Sequence, residues 1–359
     1  LSVIEDQTFK DIINLEYLEL DDNLITRIEG NPFPSGLTTL SLANCLLQEL
    51  HVNAISNLKN IKFLQFRGNL IRHLSHLRLP TDHLELLDLS HNLISSLDHN
   101  AFHNVFHSKQ NINSDNPLTG KNTNPKSNNT FGNNIVNSSD WLIHITDLHL
   151  DMNFIQSLPS EAFKHISVER LSLSNNHITA ELIAHDAFVG PLQTKLILLD
   201  LNYNLLEMYP KALLHLKQLK QLFIKSNKLK FIDETSFANF NHLEAIDLSK
   251  NLLTRVPRAF KYVKSLIKLN LQDNYITIIT DDDFSNWSTS LSFLNLAKNR
   301  IKIITANAFN DAKNLRELKL AGNNVYHLDS NVIISLPHLE SLELSYCFTT
   351  ENDENLKEI

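Results

Sequence analysis

Leucine-like residues along this chain return in one frame, L-x-x-L-x-L-x-x-N-x-L. The stretch LEAIDLSKNLLTRV shows it: Leu243, Ile246, Leu248, Leu253 and Val256 are apolar, and Asn251 stands among them. Counted by the asparagine position, the frame has 13 slots: Asn23, Cys45, Asn69, Asn92, Asn153, Asn176, Asn204, Asn227, Asn251, Asn274, Asn299, Asn323 and Cys347. Most steps are 22 to 25 residues, and two are longer, 61 from Asn92 to Asn153 and 28 from Asn176 to Asn204. Self-similarity at this period marks a solenoid. Each unit is too small to bury its own apolar face and shares one core with its neighbours. The L-x-L centre alternates with period two, as in Ile246/Leu248, Leu269/Leu271 and Leu318/Leu320. That alternation predicts a short strand with one face buried, extended from coil to coil as a parallel ladder.

After each strand the chain must turn sharply, which leaves backbone groups inside the coil. An asparagine carboxamide carries donors and an acceptor and satisfies them. Cys45 and Cys347 fill the slot with a weaker donor. On the far side, a phenylalanine often stands about six residues before the next repeat: Phe9, Phe163, Phe237, Phe260 and Phe309, with Phe102, Phe188 and Phe284 close to the same place. Ile55 and Leu213 stand there elsewhere, and in the second repeat a Pro34-Ser35-Gly36 turn replaces the ring. Stacked coils would align these rings into a spine behind the sheet.

The pattern stops over residues 106–139, a stretch rich in Asn, Ser and Lys. It holds too little apolar surface to order itself, and it reads as a disordered insertion within a single array of about 13 repeats over 1–359. Three N-x-S/T sequons, at Asn128, Asn137 and Asn286, are N-glycosylation acceptors if the chain is secreted. Asn286 lies outside the strands, where a glycan has room. The tail TTENDENLKEI is acidic and leaves the frame.

Composition narrows the partners. Asp and Glu number 40 against 32 Lys and Arg, a formal net charge of −8, which argues against nucleic acid. No run of 18 apolar residues is present, so membrane attachment would need segments outside this chain. The two cysteines occupy slots about 300 residues apart, and a linear solenoid keeps them from pairing. No catalytic, cofactor or phosphate-loop motif occurs, and no cofactor or metal is expected. Close histidines such as His73/His76 and the acidic run Asp281 to Asp283 read as solvated surface rather than as metal sites.

Side chains beside the strand leucines point to the concave face and carry no packing duty, so binding chemistry belongs there. The candidates are Tyr17, Glu19, Phe63, Arg67, Tyr203, Phe223, Lys225 and Phe293, with Asn295 and Lys298 beside them. Exposed aromatics on a rigid sheet make good anchors.

The repeats resemble the 24-residue typical leucine-rich repeats of animal extracellular proteins. The segments PSGLTTLSLAN and STSLSFLNLAKN, with a polar turn feeding straight into the strand, look most like the chaoptin family, with Toll-like ectodomains second. The resemblance implies an α/β, right-handed leucine-rich-repeat solenoid, a curved horseshoe with a parallel concave sheet and an irregular convex side. It also implies a non-catalytic ectodomain of adhesion or recognition, extracellular or at the cell surface. Its partner would be a cell-surface protein, including a second copy on an apposed cell. The alternatives are a Toll-like receptor ectodomain and a cytosolic leucine-rich-repeat scaffold. With no cysteine-rich cap at either end, the chain reads as a piece of a longer ectodomain.

Overall fold

The computed structural model describes residues 2–50, 52–74, 79–97, 102 and 142–347. The predicted insertion at 106–139 and the acidic tail lie outside them.

Thirteen strands form one parallel sheet, from Tyr17–Glu19 at one edge to Ser341–Glu343 at the other. Each of the 13 slots of the sequence has its strand. Register never slips: Leu222 faces Leu199 and Ile246, Ile246 faces Leu269, Leu269 faces Leu294, and Leu294 faces Leu318. The reason is the pleat. A slip of one residue would turn every strand leucine outward, and these leucines are fully buried through most of the sheet.

The 61-residue step leaves the ladder unbroken. Strand His83–Asp88 pairs directly with Ile143–His149, which pairs with Ile166–Ser172. At six and seven residues these are the longest strands of the sheet. The 28-residue step takes up its extra length in a 3-10 turn, Ala180–Leu182, and a short helix, Leu192–Lys195. Two other helices, Val52–Ile55 and Ser330–Ile334, are equally short. The helical share is therefore small, because a coil of this length has room for about one turn on its far side.

The slot asparagines form a second ladder inside the sheet's edge. Asn251 is representative: its Oδ1 accepts the Leu229 amide at 3.0 Å, and its Nδ2 donates to Ile224 O at 2.9 Å, Leu248 O at 3.0 Å and Ser249 O at 3.3 Å. Two of these partners belong to the preceding coil, so the carboxamide ties coil to coil as well as closing its own turn. Asn23, with only the two local bonds, is half-buried. Cys45 substitutes as expected, its thiol donating to Leu20 O and Ala43 O at 3.4 and 3.6 Å.

One residue before every slot the backbone is left-handed. At 11 of the 13 corners the residue is not glycine, as at His91, Met152, Tyr203 and Lys250. Such a residue carries roughly 1–2 kcal/mol of strain, offset by the hydrogen bonds that the corner places inside. Glycine stands at Gly68 and Gly322, with φ +70 and +69. A Cβ on Gly68 would meet Asn44 Oδ1 at 2.3 Å, whereas one on Gly322 would lie 3.4 Å from Lys298 Cγ, its nearest neighbour. Gly68→Ala should therefore lower stability by about 2–3 kcal/mol and Gly322→Ala by about 1 kcal/mol. Equal urea midpoints for the two variants would contradict this.

Behind the sheet the spine of rings is real. Tyr209, Phe237, Phe260, Trp287, Phe284 and Phe309 follow one another with centroids 5.1 to 5.5 Å apart. Three members were not expected. Tyr209 is buried edge-on against Phe237. Trp287, inside a sequon, is buried between Phe260 and Phe284. Phe33 fills the place assigned to the Pro34-Ser35-Gly36 turn, fully buried and stacked on Phe9 at 6.2 Å.

Candidate functional site

Between the two edge strands, whose central Leu18 and Leu342 are half-buried, the strands bury their central leucine-like residue and turn its neighbours toward the open face. Because the ladder keeps register, these neighbours line up across the sheet in rows. One row runs Gln221, Ala245, Lys268, Phe293, Glu317, Ser341; the next, two residues on, runs Phe223, Asp247, Asn270, Asn295, Lys319, Glu343. Phe223 and Phe293 thus stand diagonally, three strands apart. Between them Ala245 contributes only a methyl group, which opens a hollow. That hollow measures about 600 Å³ and is walled by the two phenylalanines, with Lys268 and Asn270 between and Arg316, Glu317 and Glu340 along the far rim.

The predicted residues divide into groups. Phe223 and Phe293 share the hollow, and Lys319 Nζ lies 5.7 Å from the Phe293 ring. Tyr203 is exposed at a left-handed corner beside the sheet, with Lys225 Nζ 5.7 Å from its ring. Tyr17 and Glu19 lie on the first strand, Phe63 on the third and Arg67 just after it, all far from that hollow. There the Tyr17 hydroxyl donates to Glu19, which raises the phenol's pKa, and Arg67 bonds His91 at 2.9 Å. Asn295, expected on the surface, is buried. Its Nδ2 donates to Gln272 Oε1 and its Oδ1 accepts the Ala297 amide.

Asn295 belongs to a wider device. Asp88, Asp200, Asp247 and Asn270 also fold their side chains back onto the amide two residues on. These five side chains therefore close their strand ends instead of standing free on the open face. Burial pushes the Asp200 carboxyl above its ordinary range, with Asp151 and Asp247 adding to the effect. Lys268, Arg316, Glu317 and Glu340 were missed by reading one repeat at a time. Reading down the rows, coil by coil, exposes them.

Asp281 and the two cysteines serve the structure. Asp281 accepts from Thr305 and Asn307 of the next coil, and these bonds hold its carboxyl below the usual range. Burial raises the pKa of both thiols, Cys45 and Cys347, which suits slot-fillers rather than nucleophiles. Among the described residues no group of three His, Cys, Asp or Glu is placed to hold a metal, and no helix is long and apolar enough to cross a membrane. Asn286 is exposed at a corner with φ +65, while the Ser288 hydroxyl of its sequon is buried on Phe284 O. Asn128, Asn137 and His76 lie outside the described residues.

Two family models describe the chain: a leucine-rich repeat matches residues 218–276 and 289–347, and a BspA-type leucine-rich repeat region of six copies matches residues 2–131. Lumican of Bos taurus is 25% identical over 262 residues, 65% of this chain and 63% of that protein. The chain thus spans less than two thirds of this curated relative. Among solved structures, a leucine-rich-repeat protein of Leptospira interrogans superposes with a TM-score of 0.66 at 20% identity, over 99% of this chain and 87% of that one. Toll of Drosophila, in its complex with Spätzle, superposes with a TM-score of 0.63 at 20% identity, over 96% of this chain and 47% of that one. The 13-strand ladder, the asparagine slots and both models agree that this chain is a member of the leucine-rich-repeat proteins.

Proposed function

We propose that this chain is a non-catalytic recognition module of a cell-surface or extracellular protein. It forms one continuous array and binds a protein partner in adhesion through the open face of its sheet. The observation that carries the reading is the hollow between Phe223 and Phe293. Two half-exposed aromatic walls, an unpaired Lys268 and the Arg316–Glu340 pair on the rim make an apolar centre with a charged border, the anatomy of a protein-binding hot spot. Extracellular placement is supported by the kind of repeat and by the exposed sequon asparagine, Asn286; Asn128 and Asn137 are further proposed acceptors. Tyr203 with Lys225 forms a secondary contact beside the hollow, and Tyr17, Glu19, Phe63 and Arg67 a separate patch near the first strand.

The double variant Phe223→Ser and Phe293→Ser tests this. Beads coated with the wild-type chain should aggregate with one another or adhere to cell surfaces, and the double variant should do so roughly tenfold less, with an unchanged melting curve. Undiminished adhesion by the double variant, or no adhesion by the wild type, rejects the reading.

A further inference from the structure

The flank of the solenoid, where the chain leaves the sheet, carries a second surface. The window from one residue before each slot to three after it reads S-N-K-L-K, K-N-L-L-T, D-N-Y-I-T and K-N-R-I-K in the four successive coils of Asn227, Asn251, Asn274 and Asn299. It holds six cations, Lys228, Lys230, Lys250, Lys298, Arg300 and Lys302, against one anion, Asp273. The same window in all other coils holds one cation, Arg72. In a chain of formal charge −8 this concentration is not a matter of composition.

The six side chains lie on one surface. The windows are stacked by backbone bonds, Leu252 N to Leu229 O, Tyr275 N to Leu253 O and Arg300 N to Ile276 O. Three steps of about 4.8 Å spread the cations over roughly 14 Å. All but Lys302 are exposed, and none of the six has an ion-pair partner among the described residues. On the sheet face most cations differ: Lys62, Arg170, Lys220, Arg316 and Lys319 are each matched to an acid, with Lys268 an exception.

We propose that this flank binds a linear sulfated polysaccharide. A spread of unpaired cations over several coils suits a chain of repeated anionic groups, not a single small anion. Two nearby rings are engaged by cations of the set, Tyr275 by the Arg300 guanidinium at 4.2 Å and Tyr326 by Lys302 at 6.0 Å, while Phe231 beside Lys230 stays exposed. A single exposed ring is no platform for successive bases, and the formal charge of −8 weighs against single-stranded nucleic acid. The amides of Lys228, Leu252, Tyr275 and Arg300 are used between coils, so no backbone edge is offered to an added peptide strand. What remains is side-chain charge with hydroxyl and ammonium donors, which is the chemistry that holds sulfate groups.

The experiment titrates the whole chain with a heparin dodecasaccharide and with its chemically desulfated form. The expected result is salt-sensitive binding to the sulfated form alone. The triple variant Lys228→Gln, Lys298→Gln and Lys302→Gln should weaken it roughly tenfold or more at physiological salt and flatten the dependence of log K on log salt by about two to three units. The double variant Lys230→Gln and Lys250→Gln supplies an independent reading should the triple variant fold poorly, and Arg72→Gln should leave binding unchanged. Equal binding of the desulfated form, tighter binding of polyglutamate or single-stranded DNA, or an affinity indifferent to both lysine sets would overturn the proposal.

Discussion

Asn251→Ala is expected to lower the stability of the chain by about 2–4 kcal/mol, read as a fall in the urea midpoint followed by circular dichroism. The size follows from counting partners. Ile224 O also accepts from Asn227, Leu248 O also accepts from Asn274, and Ser249 O also accepts from the Ser226 amide. These three carbonyls would be weakened, not orphaned. The Leu229 amide is different: its partner is Asn251 Oδ1, at a buried site water does not reach. An unpaired buried donor costs about 1–3 kcal/mol, and three thinned carbonyls add to that. Asn23→Ala is the internal control. Its side chain is half-buried and makes no bond to another coil, so the loss should stay below about 1 kcal/mol. A similar cost at both positions would show that the asparagine closes only its own turn, and that coil-to-coil bonding is not what holds the slot.

The ladder that makes Asn251 costly was legible in the chain before any coordinates, because a carboxamide at a fixed place after an L-x-L strand has one physical use. The strands, their register and most of the spine followed from the same period. What was not legible came from neighbours in space rather than in sequence. Trp287 stacks on Phe260, which stands 27 residues earlier, and only the coil step brings them together. The frame assigned Phe33 no place because a proline turn follows it, yet burial decided otherwise. Asn295 looked like a surface residue because the alternation of the strand points it outward. Its bonds to Gln272 and to the Ala297 amide fold it back under its neighbours. The left-handed corners left almost no trace, since glycine, the usual marker, stands at two of them and residues as different as Met152, Tyr203 and Lys250 stand at others. The hollow between Phe223 and Phe293 depends on the small Ala245 between them, a feature that no single repeat displays.

Phe260→Ala is expected to cost about 3–5 kcal/mol, the range for deleting a fully buried ring, because its neighbours are held from both sides and cannot close the space. Phe260 is 0% exposed, with the Phe237 ring 5.2 Å away in the coil before and Trp287 5.1 Å away in the coil after. The loss falls on two coil–coil interfaces at once. In a solenoid, where each unit is stable only through its neighbours, weakening one internal interface uncouples the halves on either side. The urea transition of Phe260→Ala should therefore broaden or split, with amide exchange accelerating first in the coils of Asn251 and Asn274. Phe9→Ala, at a half-buried ring stacked on Phe33 near one end of the array, should shift the midpoint slightly and leave the transition sharp. A sharp, uniformly shifted transition for Phe260→Ala would mean that the coils fold as one indivisible core, and a shift under about 1 kcal/mol would mean that the spine packs too loosely to matter.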